Sequence, residues 1–153
     1  MRRVNPWIDR AFDAGSASLE FITAGMVLLV PLVYLVVTMA ALQAGALAVE
    51  GAARQAARVY VSAPDESQAM ARADRAVKFS LADYGMSVDQ ASVRIDCQEK
   101  QFGCLTRRST VTVTVRVVVP LPLVPDLLVL RGASSIPLEA SATHTVSRFW
   151  GAE

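Results

Sequence analysis

The chain has 153 residues, enough for one modest folded domain beside a membrane segment. Its hydrophobic content of 53% is too high for an ordinary soluble domain, and the excess lies in one stretch. The formal net charge of +1 and the lack of any block of like charges argue against nucleic acid or an acidic molecule as a partner.

The N-terminal residues, 1–15, are polar and mixed in charge, and we expect them to form a cytoplasmic leader. A long apolar helix is predicted to begin near Ser16 or Ser18, because a serine hydroxyl can cap free backbone N–H groups. The helix is expected to continue through Pro31, since membrane helices tolerate proline as a kink. It should end near Val61, where Ser62-Ala63-Pro64-Asp65 breaks it.

The apolar stretch is long enough to cross a membrane. No Asp, Glu, Lys or Arg lies between Glu20 and Glu50. As a helix this gap covers roughly 43 Å, against about 30 Å of bilayer hydrocarbon. We therefore predict a single span that also projects beyond the membrane. Gly25, Gly45 and Gly51 offer small surfaces at which neighbouring helices could approach.

Two simpler interpretations of this stretch stay open. The first is a signal peptide cut after Ala48, although signal-peptide cores usually have about 7 to 15 apolar residues. The second is an uncleaved signal anchor. Three arginines precede the stretch and favour a cytoplasmic N-terminus, although Arg54 and Arg58 follow it closely.

Glu20 stands where the hydrocarbon would begin, and a carboxylate there is costly unless it has a partner. If the chain were cut after Gly15, Ser16 would become an α-amino terminus and Glu20 the fifth residue. The amine and the carboxylate could then pair, most plausibly between neighbouring subunits. This arrangement predicts a precursor that is trimmed on the cytoplasmic side and packed beside similar helices, and not an enzyme.

Two amphipathic helical segments follow the apolar stretch. From Gln43 to Val61, an apolar stripe is predicted to lie against a globular domain, and Glu50 and Arg54 are placed as an i,i+4 ion pair. A second helix is predicted from Glu66 to Tyr84 and is expected to end at Gly85. The predicted stripe consists of Ala46, Val49, Ala53, Ala56 and Tyr60. The buried face of the second helix should contain Met70, Ala73, Val77, Leu81 and Tyr84.

The rest of the chain alternates polar and apolar residues with the period of β-strands. The predicted strands are Ala91 to Cys97, Ser109 to Val119 and Ile136 to Ser147. Three strands of this length form an ordinary small antiparallel sheet. The predicted fold is therefore α+β, with a cytoplasmic leader at 1–15, a transmembrane and projecting helix at 16–61, and an extracytoplasmic domain at 62–153.

Cys97 and Cys104 are the only cysteines, and they lie in the connection between the first two strands. A short disulfide-closed loop fits an oxidising compartment outside the cytoplasm. A metal site is the alternative, but structural zinc needs four donors and His144 is the sole histidine. The sequence therefore favours a disulfide that pins the loop of a β-hairpin.

No motif in the sequence points to catalysis, to a bound cofactor or metal, or to a small-molecule substrate. There is no glycine-rich phosphate loop after a strand, no nucleophile elbow and no paired-histidine zinc motif. His144 shares a predicted sheet face with alanines and valine, and we expect it to be structural. Phe149 and Trp150 either pack on the sheet or contact a partner, and packing is favoured.

Three segments together resemble the TadE-like pilus assembly proteins, which are minor pilins or pseudopilins of the Flp/Tad type IVb pilus and secretion systems. They are Gly15-Ser16-Ala17-Ser18-Leu19-Glu20-Phe21, the apolar helix with Pro31, and Ala52-Ala53-Arg54-Gln55-Ala56-Ala57-Arg58. The later part looks like the actinobacterial version, with a cysteine-bridged hairpin, a threonine/valine strand, a proline-rich stretch and Ala142-Thr143-His144-Thr145. The likeness extends from residue 15 to about 149.

By this resemblance, Gly15 precedes the cut of a prepilin peptidase, Ser16 is the mature N-terminus, and Glu20 is the pilin glutamate at position five. The family implies a pilin-like fold in the cell membrane, with one span, a cytoplasmic N-terminus and an extracytoplasmic C-terminal domain. Its expected partners are the prepilin peptidase, other pilins and the Tad membrane assembly proteins. Many members carry a second glutamate where this chain has Met39 and Ala40, which leaves lateral pairing to Glu20 alone.

Two further functions compete with this prediction. A signal-anchored binding or sensor domain that never polymerises would keep residues 1–15. A small secreted protein cut after Ala48 would lack the membrane helix.

Overall fold

The computed structural model of the chain describes residues 6–88, 91–98, 103–122 and 135–151, with side chains from residue 17 onward. It divides into two compact units, one ending at Met39 and the other beginning at Ala40. The fold is α+β, with a long N-terminal apolar helix, a second helix and a small antiparallel sheet. This confirms the predicted fold class. The predicted division at residues 15 and 61 stays a prediction.

The first helix, α1, covers Pro6–Val61 and includes Pro31 in its interior. The prediction that it begins near Ser16 or Ser18 is wrong, because the helical backbone starts ten residues before Ser16. Proline is favoured in the first helical turn, where its missing N–H would be unpaired anyway. Residues 7–14 contain no glycine or further proline that would stop the helix.

The apolar part of α1 is exposed on every side within the first unit. From Ala17 to Met39, only Tyr34 and Thr38 are even partly buried. The hydroxyl of Thr38 donates to the carbonyl oxygen of Tyr34 at 2.8 Å, and Thr23 makes the same bond to Leu19 at 2.7 Å. The hydroxyls of both threonines in this segment are thus satisfied within the helix, which lowers the cost of placing them in an apolar surrounding. Between Ala17 and Val61, α1 is long and apolar enough to cross a membrane.

The second unit begins with the C-terminal part of α1, which contributes one face to a hydrophobic core. The stripe predicted there is partly right, since Val49, Ala53, Ala56 and Tyr60 are buried but Ala46 is exposed. The buried face also contains residues that the predicted stripe omitted, namely Ala48, Ala52 and Ala57. The buried residues occur in adjacent pairs along the helix. The buried stripe is therefore wider than a stripe with one apolar residue at every third or fourth position.

The second helix, α2, covers Glu66–Ala82. Asp65 caps its N-terminus by accepting from the backbone N–H of Gln68 at 2.8 Å. Gly85 has a φ of +67° and follows the helix, as predicted for a glycine that ends it. The buried face is Ala69, Ala73, Val77 and Leu81.

The predicted burial is wrong for two residues of that face. Met70 is 56% exposed and Tyr84 is 51% exposed. The larger side chain at position 70 was expected inside, but the neighbouring alanine is buried instead. An alanine lets the helix backbone approach the core more closely than methionine does.

Three strands form one antiparallel sheet in the order β1-β2-β3. This confirms the predicted small antiparallel sheet of three strands. The strands are β1 at Ser92–Cys97, β2 at Thr110–Pro120 and β3 at Ser135–Thr145. One face of β2 is fully buried in the core through Val111, Val113, Val115 and Val117. On the opposite face, hydroxyls pair across β2 and β3, with Thr112 to Thr143 at 3.0 Å and Thr114 to Ser141 at 2.9 Å.

Candidate functional site

The predicted processing and pairing segment lies on α1. Gly15 and Ser16 are within the helical backbone, but their surroundings lie outside the residues whose side chains are described. Glu20 is exposed on the helix surface. None of the described cations forms an ion pair with it. An exposed carboxylate thus stands at the start of the uncharged stretch.

The two cysteines form a disulfide between the end of β1 and the loop before β2. The Sγ atoms of Cys97 and Cys104 are 1.98 Å apart, and the Cα atoms are 5.3 Å apart. Cys97 is the last residue of β1, where it pairs with Val111 of β2. The disulfide thus pins the hairpin loop as predicted. Because both sulfurs are bonded to each other, the alternative of a metal site at these cysteines is excluded.

A carboxylate outside the predicted site fastens this loop to the second helix. Glu66, the first residue of α2, accepts a hydrogen bond from the backbone N–H of Cys104. Gly103 beside it has a φ of +86°, and a Cβ there would lie 2.6 Å from the Glu66 Oε1 atom. The sequence carried one weak signal of this contact, a glycine directly before the second cysteine.

The C-terminal turn closes over the junction of the two helices. The indole Nε1 of Trp150 donates to the carbonyl oxygen of Ala63 at 2.9 Å, and Arg107 Nε donates to the carbonyl of Trp150 at 2.9 Å. Trp150 therefore packs against the core as favoured, and its side-chain hydrogen bond is to the helix junction where the prediction named the sheet. The predicted packing is wrong for Phe149, which is 67% exposed with the Arg148 guanidinium 4.6 Å from its ring centroid.

The remaining candidate for chemistry, His144, is exposed on β3 opposite Val111. Among the described residues, no three His, Cys, Asp or Glu side chains are grouped closely enough to hold a metal ion. Glu50 and Arg54 form the predicted i,i+4 ion pair on the exposed side of α1. These groups stabilise the surface and do not converge on a common point.

α1 approaches the sheet closely at Gly45. A Cβ at this position would be 2.8 Å from Leu138 Cδ1 and 2.9 Å from Val119 Cγ2. The expectation that this glycine offers a surface to a neighbouring helix is therefore wrong, because the chain's own sheet occupies it. Gly25 and Gly51 have open space around them.

Comparison of the chain with protein-family models, with curated proteins and with solved structures finds no match. The resemblance to TadE-like proteins therefore stays a prediction from the residues themselves. What the geometry provides is an exposed apolar helix with one carboxylate at its start, followed by a disulfide-braced α+β domain.

Proposed function

We propose that the protein is a membrane-anchored minor pilin, or pseudopilin, which assists assembly of a Flp/Tad-type pilus or secretion apparatus. In this proposal α1 anchors the chain once in the cell membrane, with its N-terminus in the cytoplasm and residues 62–153 outside. Its partners are the prepilin peptidase, other pilins and the Tad membrane assembly proteins. The protein acts through helix packing and surface contacts, and no reaction is assigned to it.

The observation that carries the proposal is the form of α1 between Ala17 and Met39. The segment is exposed on all sides and uncharged after Glu20, so water is an unfavourable surrounding for it. The two threonine hydroxyls bond within the helix, and Glu20 is the one charged residue between Ala17 and Met39. A disulfide in the following domain supports an oxidising compartment for that domain.

The proposed mechanism is charge neutralisation during assembly. Cleavage after Gly15 creates a positive amine on Ser16, four residues before Glu20. On one helix this spacing brings the two groups to the same side, and between neighbouring helices it lets the carboxylate of one subunit meet the amine of the next. The pair would remove the cost of an isolated charge at the edge of the hydrocarbon.

The deciding experiment is the intact mass and N-terminal sequence of the protein purified from its native membrane. We expect the mature chain to begin at Ser16. A chain that begins at Met1 would contradict the processing step and leave Glu20 as a boundary residue. A chain that begins after Ala48 and is recovered from the medium would contradict membrane anchoring itself.

One observation favours the second candidate, an uncleaved signal-anchored binding or sensor domain. The backbone of α1 is helical from Pro6, so the bond between Gly15 and Ser16 lies inside a helix. A peptidase would have to unwind this turn, which glycine makes easier because it is a poor helix former. Replacing Gly15 by alanine separates the two candidates, since only a processed chain would accumulate as precursor.

A further inference from the structure

We propose that a groove at the Ala41 end of the second unit is a phospholipid contact site, which seats the folded domain on the bilayer surface. The groove has a volume of about 340 Å³ and lies between α1, the turn after α2 and the end of β2. The inference rests on the proposed membrane anchoring and adds a second point of contact with the lipid. It names glycerophospholipid as the occupant.

The chemistry of the lining fits the interface between hydrocarbon and water. Ala41 and Gly45 line the groove from α1, Met86 from the turn after α2, and Val119 from β2. None of the described residues that line it carries a charge. Tyr84 stands at its edge with half of its surface exposed, and tyrosine is enriched where one end of a side chain is apolar and the other is wet.

Chain connectivity brings one end of this groove close to the membrane surface. If the hydrocarbon begins just after Glu20, the roughly 20 helical residues that it requires end near Ala40. Ala41 is two residues from Met39, and two residues of chain extend at most about 7 Å. The Ala41 end of the groove therefore lies within about 7 Å of the end of the segment that would span the hydrocarbon.

The turn after α2 holds Tyr84 and Met86 in place at the groove. The backbone N–H groups of Tyr84 and Met86 both donate to the carbonyl of Leu81, at 3.1 Å each, and Leu81 is fully buried. Gly85 between them adopts a φ of +67°, which reverses the chain direction there. Asp83 is exposed beside Tyr84, so the contact is with headgroups and the upper acyl chain, and deeper insertion is opposed.

The test uses nitroxide labels on single-cysteine variants of the full chain, reconstituted in vesicles of equal parts phosphatidylcholine and phosphatidylglycerol. The native cysteines are bonded to each other, so the label attaches only to the introduced thiol. Ser87→Cys places the label at the groove, Val33→Cys within the apolar segment, and Ala71→Cys on the exposed side of α2. Collision rates with oxygen and with a water-soluble nickel chelate report the depth of each label.

We expect the Ser87 label to collide with the nickel chelate several-fold less often than the Ala71 label, with the Val33 label lower still. A charge at the groove edge, Tyr84→Asp, should return the Ser87 label to the aqueous value. The matched control is Phe79→Asp, which alters an exposed aromatic residue of α2 that does not line the groove. It should leave the collision rate of the Ser87 label with the nickel chelate unchanged.

Two outcomes would overturn the proposal. If the Ser87 label is as water-accessible as the Ala71 label while the Val33 label is in lipid, the anchor stands and the groove does not bind lipid. If the Ser87 label shows spin–spin broadening at high protein density, a second copy occupies the groove instead. An aqueous Val33 label would contradict the membrane anchoring on which the inference rests.

Discussion

Asp65 illustrates how a single side chain sets the boundary between two elements. Its carboxylate accepts from the backbone N–H of Gln68, from the Gln68 side chain and from the hydroxyl of Ser67. These bonds stabilise the charged form, and the bond from the Gln68 backbone contributes most to lowering the pKa of Asp65 below 3.8. The ionised carboxylate therefore caps α2 more strongly than the protonated form does.

The first prediction concerns the pH dependence of this cap. Because the folded-state pKa of Asp65 is lowered, its contribution to stability is present above the unfolded value of 3.8 and is lost as the pH falls through the folded value. Asp65→Asn can cap the helix but cannot titrate. We expect the wild-type chain to exceed the variant in urea midpoint at neutral pH and to lose that advantage in acid, as followed by circular dichroism. An advantage that stays constant with pH would contradict this assignment.

At this scale the sequence predicted side chains that act with near neighbours and missed those that act across the fold. The Cys97–Cys104 pair and the Glu50–Arg54 pair are separated by few residues, so their spacing was informative. The contact of Glu66 with the backbone of Cys104 joins positions 38 residues apart. Nothing local distinguishes that carboxylate from any other at a helix start.

Among the elements, α1 and the sheet are in close contact at Gly45. The side chains of Leu138 and Val119 already occupy the space that a Cβ would take. The sequence did not reveal this, because a glycine in an apolar helix looks the same whether it faces a neighbouring chain or the protein's own sheet. The period-2 pattern of β2, in contrast, identified its buried valines correctly.

We predict that Gly45→Val lowers the stability of the folded domain by about 1–3 kcal/mol, because the added methyl groups overpack the contact with the sheet. The matched control is Gly51→Val on the same helix, where the space is open. That change should be neutral or stabilising by less than about 0.5 kcal/mol, since valine is the better helix former. Thermal unfolding followed by circular dichroism in detergent measures both. Equal changes in the two variants would contradict the assigned role of the sheet contact at position 45.

The buried face of α2 is not fully determined by the helical spacing of its apolar residues. Met70 and Ala69 are neighbours, and the spacing to Ala73 and Val77 allows either to be inside. The larger apolar residue, Met70, is predicted to lie in the core, but the structure buries Ala69 and exposes Met70. Which of the two residues is buried depends on how closely α2 packs against the rest of the core. The sequence pattern of one helix does not contain that distance.

For the molecule as a whole, charge and apolar surface are segregated along the chain. Every described residue of the hydrophobic core belongs to the unit that begins at Ala40, while residues 17–39 are exposed. The core thus needs no contribution from the apolar segment. That segment is available for interactions with lipid or with other chains, in which Glu20 would be the single charged participant.

The corresponding prediction is that Glu20→Ala leaves membrane insertion intact but reduces recovery in the assembled apparatus about tenfold or more. Removing one partner of a desolvated ion pair typically costs about 3 kcal/mol, which is enough for that loss. Glu50→Ala is the control, because it removes the carboxylate at the other end of the uncharged stretch and breaks only an exposed pair with Arg54. Immunoblots of membrane and sheared pilus fractions provide the measurement. Normal incorporation of the Glu20 variant would contradict the pairing mechanism.

The bond from Trp150 to the carbonyl of Ala63 also has an optical consequence. The chain contains two tryptophans, Trp7 and Trp150. Cleavage after Gly15 would remove the first, so the mature protein would carry one fluorophore, held where the C-terminal turn meets the helix junction. Its emission would then report the local state of that junction without any added dye, and the absorbance at 280 nm per unit mass of protein would be lower for the product than for the precursor.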